Sequence, residues 1–225
     1  MTMIASANNL AALIQAVETA DSKAGIVMAV RELAAATDPD AIPTLIKVLA
    51  YNNPGAAVAA VDGLVALGST AVPTLLELID GYNYGARAWA IRALSLIGDP
   101  RALDVLIETA EGDFALSVRR AAAKGIGTIN WNLLPDAEAA AAQTKVMQTL
   151  IHNTADPEWV VRYAAVVGME ALAIATLNNS VHNLQSDNHP SQLIATRLGT
   201  VFAEDDTPAV QARAQLALET LQAGQ

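Results

Sequence analysis

The chain has 225 residues, and its 23 acidic and 13 basic side chains give a formal net charge of -10, which speaks against nucleic acid or an anionic membrane surface as a partner. No cysteine is present, which excludes disulfides, thiolate metal sites and a cysteine nucleophile. Hydrophobic residues make up 53% of the chain but aromatics only 4%; much of the apolar content is alanine, which favours helix and lets neighbouring helices approach closely.

The opening segment MTMIASANNLAALIQ has no basic stretch ahead of its apolar residues and does not read as a signal peptide. With cysteine absent as well, a cytoplasmic protein is expected. A first helix lies around Leu10–Val17. Self-similar segments then follow: AIPTLIKVL from Ala41, AVPTLLELI from Ala71 and RALDVLIET from Arg101, each starting 30 residues after the one before. Leu45, Val48 and Leu49, and likewise Leu75, Leu78 and Ile79, fall at helical spacing. Pro43 and Pro73 stand in the first helical turn, where a missing N–H is harmless. Asp38-Pro39 and Asp99-Pro100 mark turns, each with a candidate helix cap in its aspartate.

Each of these helices is followed by a second one rich in small residues: AAVAAVDGLVALG, ARAWAIRALSLIG and VRRAAAKGIG, in which Leu64, Leu94 and Ile126 correspond. Partial copies recur as VVRYAAVVGMEAL near Val160 and VQARAQLALETL near Val210. The apolar run around the first of these contains Arg162 and Glu170, so it does not read as a membrane span. A unit of this length cannot bury its own apolar face, and stacking on its neighbours is what stabilises it. The expected fold is therefore all-α, an α/α solenoid (superhelix) of HEAT-like helical repeats forming one domain over residues 1–225. The terminal helices, the last ending near Leu221, would act as caps. Two interruptions break the period, near 128–145 (with NWNLLPDAEAAAAQT, a loop and an extended helix) and near 178–191 (a polar loop).

The patterns VRxxAAxxLG and DPxAxPxL, densest in YGARAWAIRALSLIGDPRALDVLIETAEGDFALSVRRAAAKGIG from Tyr84 to Gly127, resemble the phycobilisome-lyase class of HEAT-like repeats. Within that class the stretch is similar to the β (F-type) subunits of the heterodimeric phycocyanobilin lyases of cyanobacteria. The resemblance covers most of residues 20–170. It implies a lyase subunit, active with an E-type (α) partner, that attaches phycocyanobilin as a substrate to a cysteine of the phycocyanin α subunit. No cofactor of its own is implied. Related lyase–isomerases carry a Cys/His motif in this subunit, so a chain without cysteine implies ligation without isomerisation. A non-catalytic helical-repeat adaptor that binds phycobiliproteins during assembly or degradation is the alternative.

In such a reaction the acceptor supplies the thiol, and the lyase needs aromatic surface for the tetrapyrrole, cations for its propionates and an acid near its pyrrole nitrogens. Tyr51, Tyr82, Phe114 and Trp159 each follow the first helix of successive units, while Arg87, Arg119 and Arg162 open the second helix, with Ala57 breaking that series. Stacking would set an aromatic ridge beside an arginine column. Tyr82, Tyr84, Arg87, Phe114, Arg119, Trp159 and Arg162 are accordingly the candidates for chromophore or partner contact, and Tyr82, Tyr84 and Trp89 make the densest aromatic cluster. The arginines have a second reading. Asp113 and Asp156 stand six residues ahead of Arg119 and Arg162, as an Asp–Arg ladder between adjacent units requires. Trp131 either packs locally or faces a partner. His182 and His189, with Asp187 between them, are a poor set of metal ligands in a polar loop, and no metal site is expected. No phosphate loop and no nucleophile elbow occur, so no residue is singled out as catalytic.

Overall fold

The computed structural model describes the backbone of residues 2–79, 84–179 and 190–223 and the side chains of 9–79, 84–177 and 190–223. Among the described residues there are twelve α-helices and no strand. In chain order they are α1 (Thr2–Thr19), α2 (Lys23–Ala35), α3 (Ile42–Leu49), α4 (Pro54–Leu67), α5 (Val72–Ile79), α6 (Tyr84–Ile97), α7 (Leu103–Gly112), α8 (Leu116–Ile126), α9 (Asp136–Asn153), α10 (Trp159–Asn179), α11 (Pro190–Glu204) and α12 (Pro208–Ala223). The chain divides into two compact units, Met1–Asp99 and Pro100–Gln225.

In the first unit, α2, α4 and α6 form one layer and α3 packs against α4 and α6. Sequence dictates this division of labour. Ile42, Leu45, Val48 and Leu49 of α3 are buried on one face, so α3 is amphipathic, with Pro43 in its first turn. Helix α4 instead buries Ala56, Ala57, Ala59, Ala60, Val61, Gly63 and Leu64, residues on several sides, because it is enclosed by α2, α3 and α6. Small side chains are what allow that enclosure.

The second unit repeats the pattern: α8, α10 and α12 form one layer, and α7, α9 and α11 the other. Its tightest point is the crossing of α8 and α10. A Cβ added at Gly127 would collide with the backbone of Gly168, and one added at Gly168 would lie 2.6 Å from the Ala123 carbonyl oxygen. Glycine is required on both sides of that contact. Between α8 and α9, at the first interruption of the repeat, the chain makes a short 3₁₀ turn over Trp131–Leu133 before entering the 18-residue α9.

The segment Trp159–Leu177 of α10 is long and apolar enough to cross a membrane, yet half of that stretch is buried inside the unit. Helices α8, α9, α11 and α12 cover it, and its Arg162 and Glu170 are both ion-paired within the unit. Its apolarity is that of a core helix.

Candidate functional site

The chemistry-bearing residues of the second unit gather at the turns that lead into α8, α10 and α12. An aspartate opens each turn and folds its carboxylate back onto the chain. Asp113 Oδ1 accepts from the Ala115 N–H at 2.8 Å, Asp156 Oδ1 from the Glu158 N–H at 2.8 Å and Asp205 Oδ1 from the Thr207 N–H at 2.9 Å. Each N–H belongs to the residue just before the helix, so the carboxylate closes the turn that leads into it.

An arginine six residues further on closes two of the turns. Arg119 Nη1 donates to the Asp113 carbonyl at 2.7 Å and the Phe114 carbonyl at 3.3 Å; Arg162 Nη1 donates to the carbonyls of Asp156 at 3.1 Å and Pro157 at 3.3 Å. The carboxylate contact runs forward, to the next turn. Arg119 binds Asp156 through Nε at 2.8 Å and Nη2 at 3.2 Å, and Arg162 binds Asp205 through Nε at 2.8 Å and Nη2 at 3.1 Å. Two-point contacts of this kind are the stronger form of the ion pair. The ladder ends at Gln211, six residues after Asp205, whose Nε2 donates to the Asp205 carbonyl at 2.8 Å.

Electrostatics follow from these contacts. The hydrogen bond to Asp156 holds the Arg119 guanidinium above its ordinary range against the opposing effect of burial, and Asp205 does the same for Arg162. Burial pushes the Asp205 carboxyl up, but the Arg162 guanidinium and the Thr207 N–H outweigh it and hold it below the usual carboxylate range.

The two rungs are not identical. Arg162 Nη2 also meets Asp206 Oδ1 at 2.5 Å and Thr207 Oγ1 at 3.0 Å. The corresponding residues after Asp156 are Pro157 and Glu158, and Arg119 Nη2 reaches one acceptor among the described residues. Beside Arg119 an open cleft of about 430 Å³ lies between the two turns, with Glu111, Asp113, His152, Asn153 and Asp156 in its walls.

The described aromatic candidates lie between the helices of a pair or at the first residue of the second one. Phe114, directly after Asp113, is 75% exposed, and Trp159, the first residue of α10, is 46% exposed, with Tyr163 exposed one turn further on. In the first unit, Tyr84, the first residue of α6, is 65% exposed; Arg87 in the same helix and Tyr51 after α3 are half-buried. Tyr82 lies outside the described residues, as do His182, Asp187 and His189. Trp89 is half-buried beneath the Arg92 guanidinium, 5.9 Å from the ring centre. Trp131 packs locally: it is 5% exposed, and its Nε1 meets no acceptor among the described residues. Sequence reasoning did not reach Asp205, Asp206, Gln211 or Asn153. The recurrence of Asp, six residues, then Arg or Gln at 113, 156 and 205 is the signal that reveals the third turn.

An all-α arrangement of stacked helix pairs bound by such a ladder defines a HEAT-repeat protein, and HEAT repeats match residues 10–81 and 56–127. The chain is 62% identical over 161 residues to the phycocyanin alpha phycocyanobilin lyase CpcF of a Synechocystis strain, covering 72% of this chain and 75% of that relative. It is 50% identical over 218 residues to the phycocyanobilin lyase subunit beta of Pseudanabaena tenuis, covering 96% of this chain and 74% of that one. Among solved structures, a chain in the complex of CpcE and CpcF of phycocyanin lyase from Nostoc sp. PCC7120 is similar with a TM-score of 0.70 and 51% identity, over 80% of this chain and 99% of that one. The chain belongs to the phycocyanobilin lyase β-subunit family.

Proposed function

We infer that this protein is one subunit of a heterodimeric phycobilin lyase, which works with an E-type partner to attach phycocyanobilin to a cysteine of the phycocyanin α subunit. The observation that carries this reading is the 50% identity maintained over 96% of the chain with a phycocyanobilin lyase β subunit. The likeness to a chain of the CpcE–CpcF complex supports the heterodimer.

The chemistry fits a chain without a cysteine. The acceptor's sulfur adds to a carbon–carbon double bond of the bilin, one S–C bond forms as the π bond is lost, and the thiol proton ends on the carbon framework. No electrons are exchanged, so the protein needs no redox cofactor and no nucleophile of its own; phycocyanobilin is a substrate. What the lyase contributes is orientation and proton placement. The exposed rings of Tyr84, Phe114 and Trp159 offer stacking surface for a flat apolar ligand or its carrier. Arg162, with all three nitrogens engaged, braces the turn that presents Trp159. In this reading the reaction runs in the cytoplasm and yields a thioether without isomerising the chromophore.

Co-expression with an E-type subunit, phycocyanobilin and the apo-phycocyanin α subunit tests this. Covalent chromophore should form with both subunits present and be nearly absent with either alone. Binding of bilin or acceptor without any covalent product would identify an adaptor instead.

A further inference from the structure

The ladder engages the very arginines that the sequence pattern singles out. In the second unit Arg119, Arg162 and Arg213 are ion-paired, Lys145 is paired with Asp104, Arg197 donates to the Thr154 hydroxyl, and Arg101 is likewise engaged. Arg120 and Lys124 are the basic side chains of that unit that are left. Both are exposed, and among the described residues neither has a hydrogen bond or an ion pair. They lie one turn apart on α8, a spacing that sets Cβ atoms about 5–6 Å from each other. In a chain of net charge -10, a pair of unneutralised cations on one edge is a place for negative charge.

What stands beside them follows from the register of the ladder. Arg119 and Arg162 do the same work in successive helix pairs, and α8 and α10 run side by side from that contact to the one between Gly127 and Gly168. Leu116, Arg120 and Lys124 on α8 therefore stand level with Trp159, Tyr163 and Val167 on α10. Gln211 takes the arginine's place in α12, which sets Leu216 level with Val167. Trp159 is 46% exposed, Tyr163 37% and Leu216 54%. Glu170, further along α10, is neutralised by Arg213. This layer of the unit thus presents an aromatic and aliphatic floor on α10 and α12, with a basic border on α8.

We propose that this face binds the bilin, with the propionates on Arg120 and Lys124 and the pyrrole rings on Trp159 and Tyr163. The proposal rests on the lyase reading above and names the cations that its chemistry needs. A tetrapyrrole carries its two propionates on neighbouring rings along one edge, and cations one helical turn apart on one border match that edge. A guanidinium and an ammonium hold carboxylates by charge-assisted hydrogen bonds, while the flat rings stack on the aromatic floor. A protein segment fits less well, because a few exposed apolar side chains fall short of the roughly 20–30 residues that a stable interface engages on each side.

The test is an absorbance titration of the complex between this chain and its E-type partner, with phycocyanobilin and separately with its dimethyl ester, whose propionates carry no charge. Arg120→Gln with Lys124→Gln should weaken the free acid about tenfold, the scale of two partly exposed ion pairs, and leave the ester within about twofold. Tyr163→Ala should weaken both ligands about fivefold, the scale of one lost stacking contact. Neither cation has a partner among the described residues, so the double glutamine variant should keep its melting temperature and its co-elution with the E-type subunit. Unchanged affinity for the free acid overturns the proposal, as does an equal loss for the ester. Lost co-elution also overturns it, because the basic border then belongs to a protein interface. If the unsubstituted complex binds neither ligand, the lyase reading itself falls, and this site with it.

Discussion

In the first unit the turn ahead of α4 is joined to the preceding helix pair by a neutral side chain, whereas in the second unit the turns ahead of α10 and α12 are joined by ion pairs. Asn53 Oδ1 accepts from the Ala56 N–H at 3.2 Å while its Nδ2 donates to the Lys23 carbonyl at 3.0 Å. One amide thus caps a helix and grips its neighbour. In the second unit two residues share the work, the aspartate closing the turn ahead of its own helix and the arginine of the preceding turn reaching forward to it. Neutral and ionic joints differ in how they fail. A lost neutral bond removes a modest net contribution, but removing one ion from a nearly dry pair leaves the other buried and uncompensated. The Arg162 and Asp205 side chains are only 12% and 5% exposed, so the second case applies.

The largest expected effect is therefore at the better-dressed rung. Arg162→Met should destabilise the protein by about 3–5 kcal/mol, since it strands Asp205 and unties the turn that opens α10. A loss under about 1 kcal/mol in chemical denaturation would place the joint among weak surface pairs and erase the contrast. Acid should act on the same joint. The Asp205 carboxyl is held below its unfolded value, so its contribution is complete above about pH 4 and is lost as pH falls through the lower folded value. The melting temperature should accordingly drop below about pH 4, and Asp205→Asn should flatten that drop, while the Asn53 joint contains no titrating group. Asn53→Ala should cost about 1–2 kcal/mol, independent of pH, as a lost helix cap with one further hydrogen bond. Smaller again, Lys145→Ala should change stability by less than about 0.5 kcal/mol, because the Lys145–Asp104 pair is 55% and 88% exposed.

The repeat was legible because its signals are local. Thirty-residue spacing, Pro43 and Pro73 in first turns, and runs of alanine in the enclosed helices all lie in short windows of sequence. The ladder was legible only in part. A six-residue spacing pairs Asp113 with Arg119 and Asp156 with Arg162, yet across that spacing the arginine meets a backbone carbonyl, which every residue possesses and no pattern reports. The carboxylate contact spans 37 and 43 residues, over loops of unequal length, so no fixed period exposes it. Trp131 shows another limit. An aromatic in an insertion can face either way, and only the packing around the 3₁₀ turn decides that it is buried. Asn153 belongs to no motif; its burial without a partner for Nδ2 is visible only in the fold.

The smallest effects on stability should come with the clearest effects on function, and Phe114 against Leu106 poses that contrast within one helix pair. Leu106 is fully buried in α7, and truncating it to alanine should cost about 2–5 kcal/mol. Phe114 is 75% exposed, so removing its ring takes little apolar surface out of the folded core. Phe114→Ala should therefore shift stability by no more than about 0.5 kcal/mol. Trp159, at 46% exposure, should behave similarly with a somewhat larger cost. If these rings serve the reaction, the double variant Phe114→Ala with Trp159→Ala should lower chromophore transfer at least about tenfold, the scale of one or two rings no longer stacking on a bound ligand or partner. Transfer should be measured alongside co-elution with the E-type subunit. Reduced transfer with intact co-elution assigns the edge to bilin or acceptor, and lost co-elution assigns it to the heterodimer. Unchanged transfer and unchanged co-elution would remove the aromatic edge of the second unit from the functional account and leave Tyr84 in the first unit as the remaining exposed candidate described on α6.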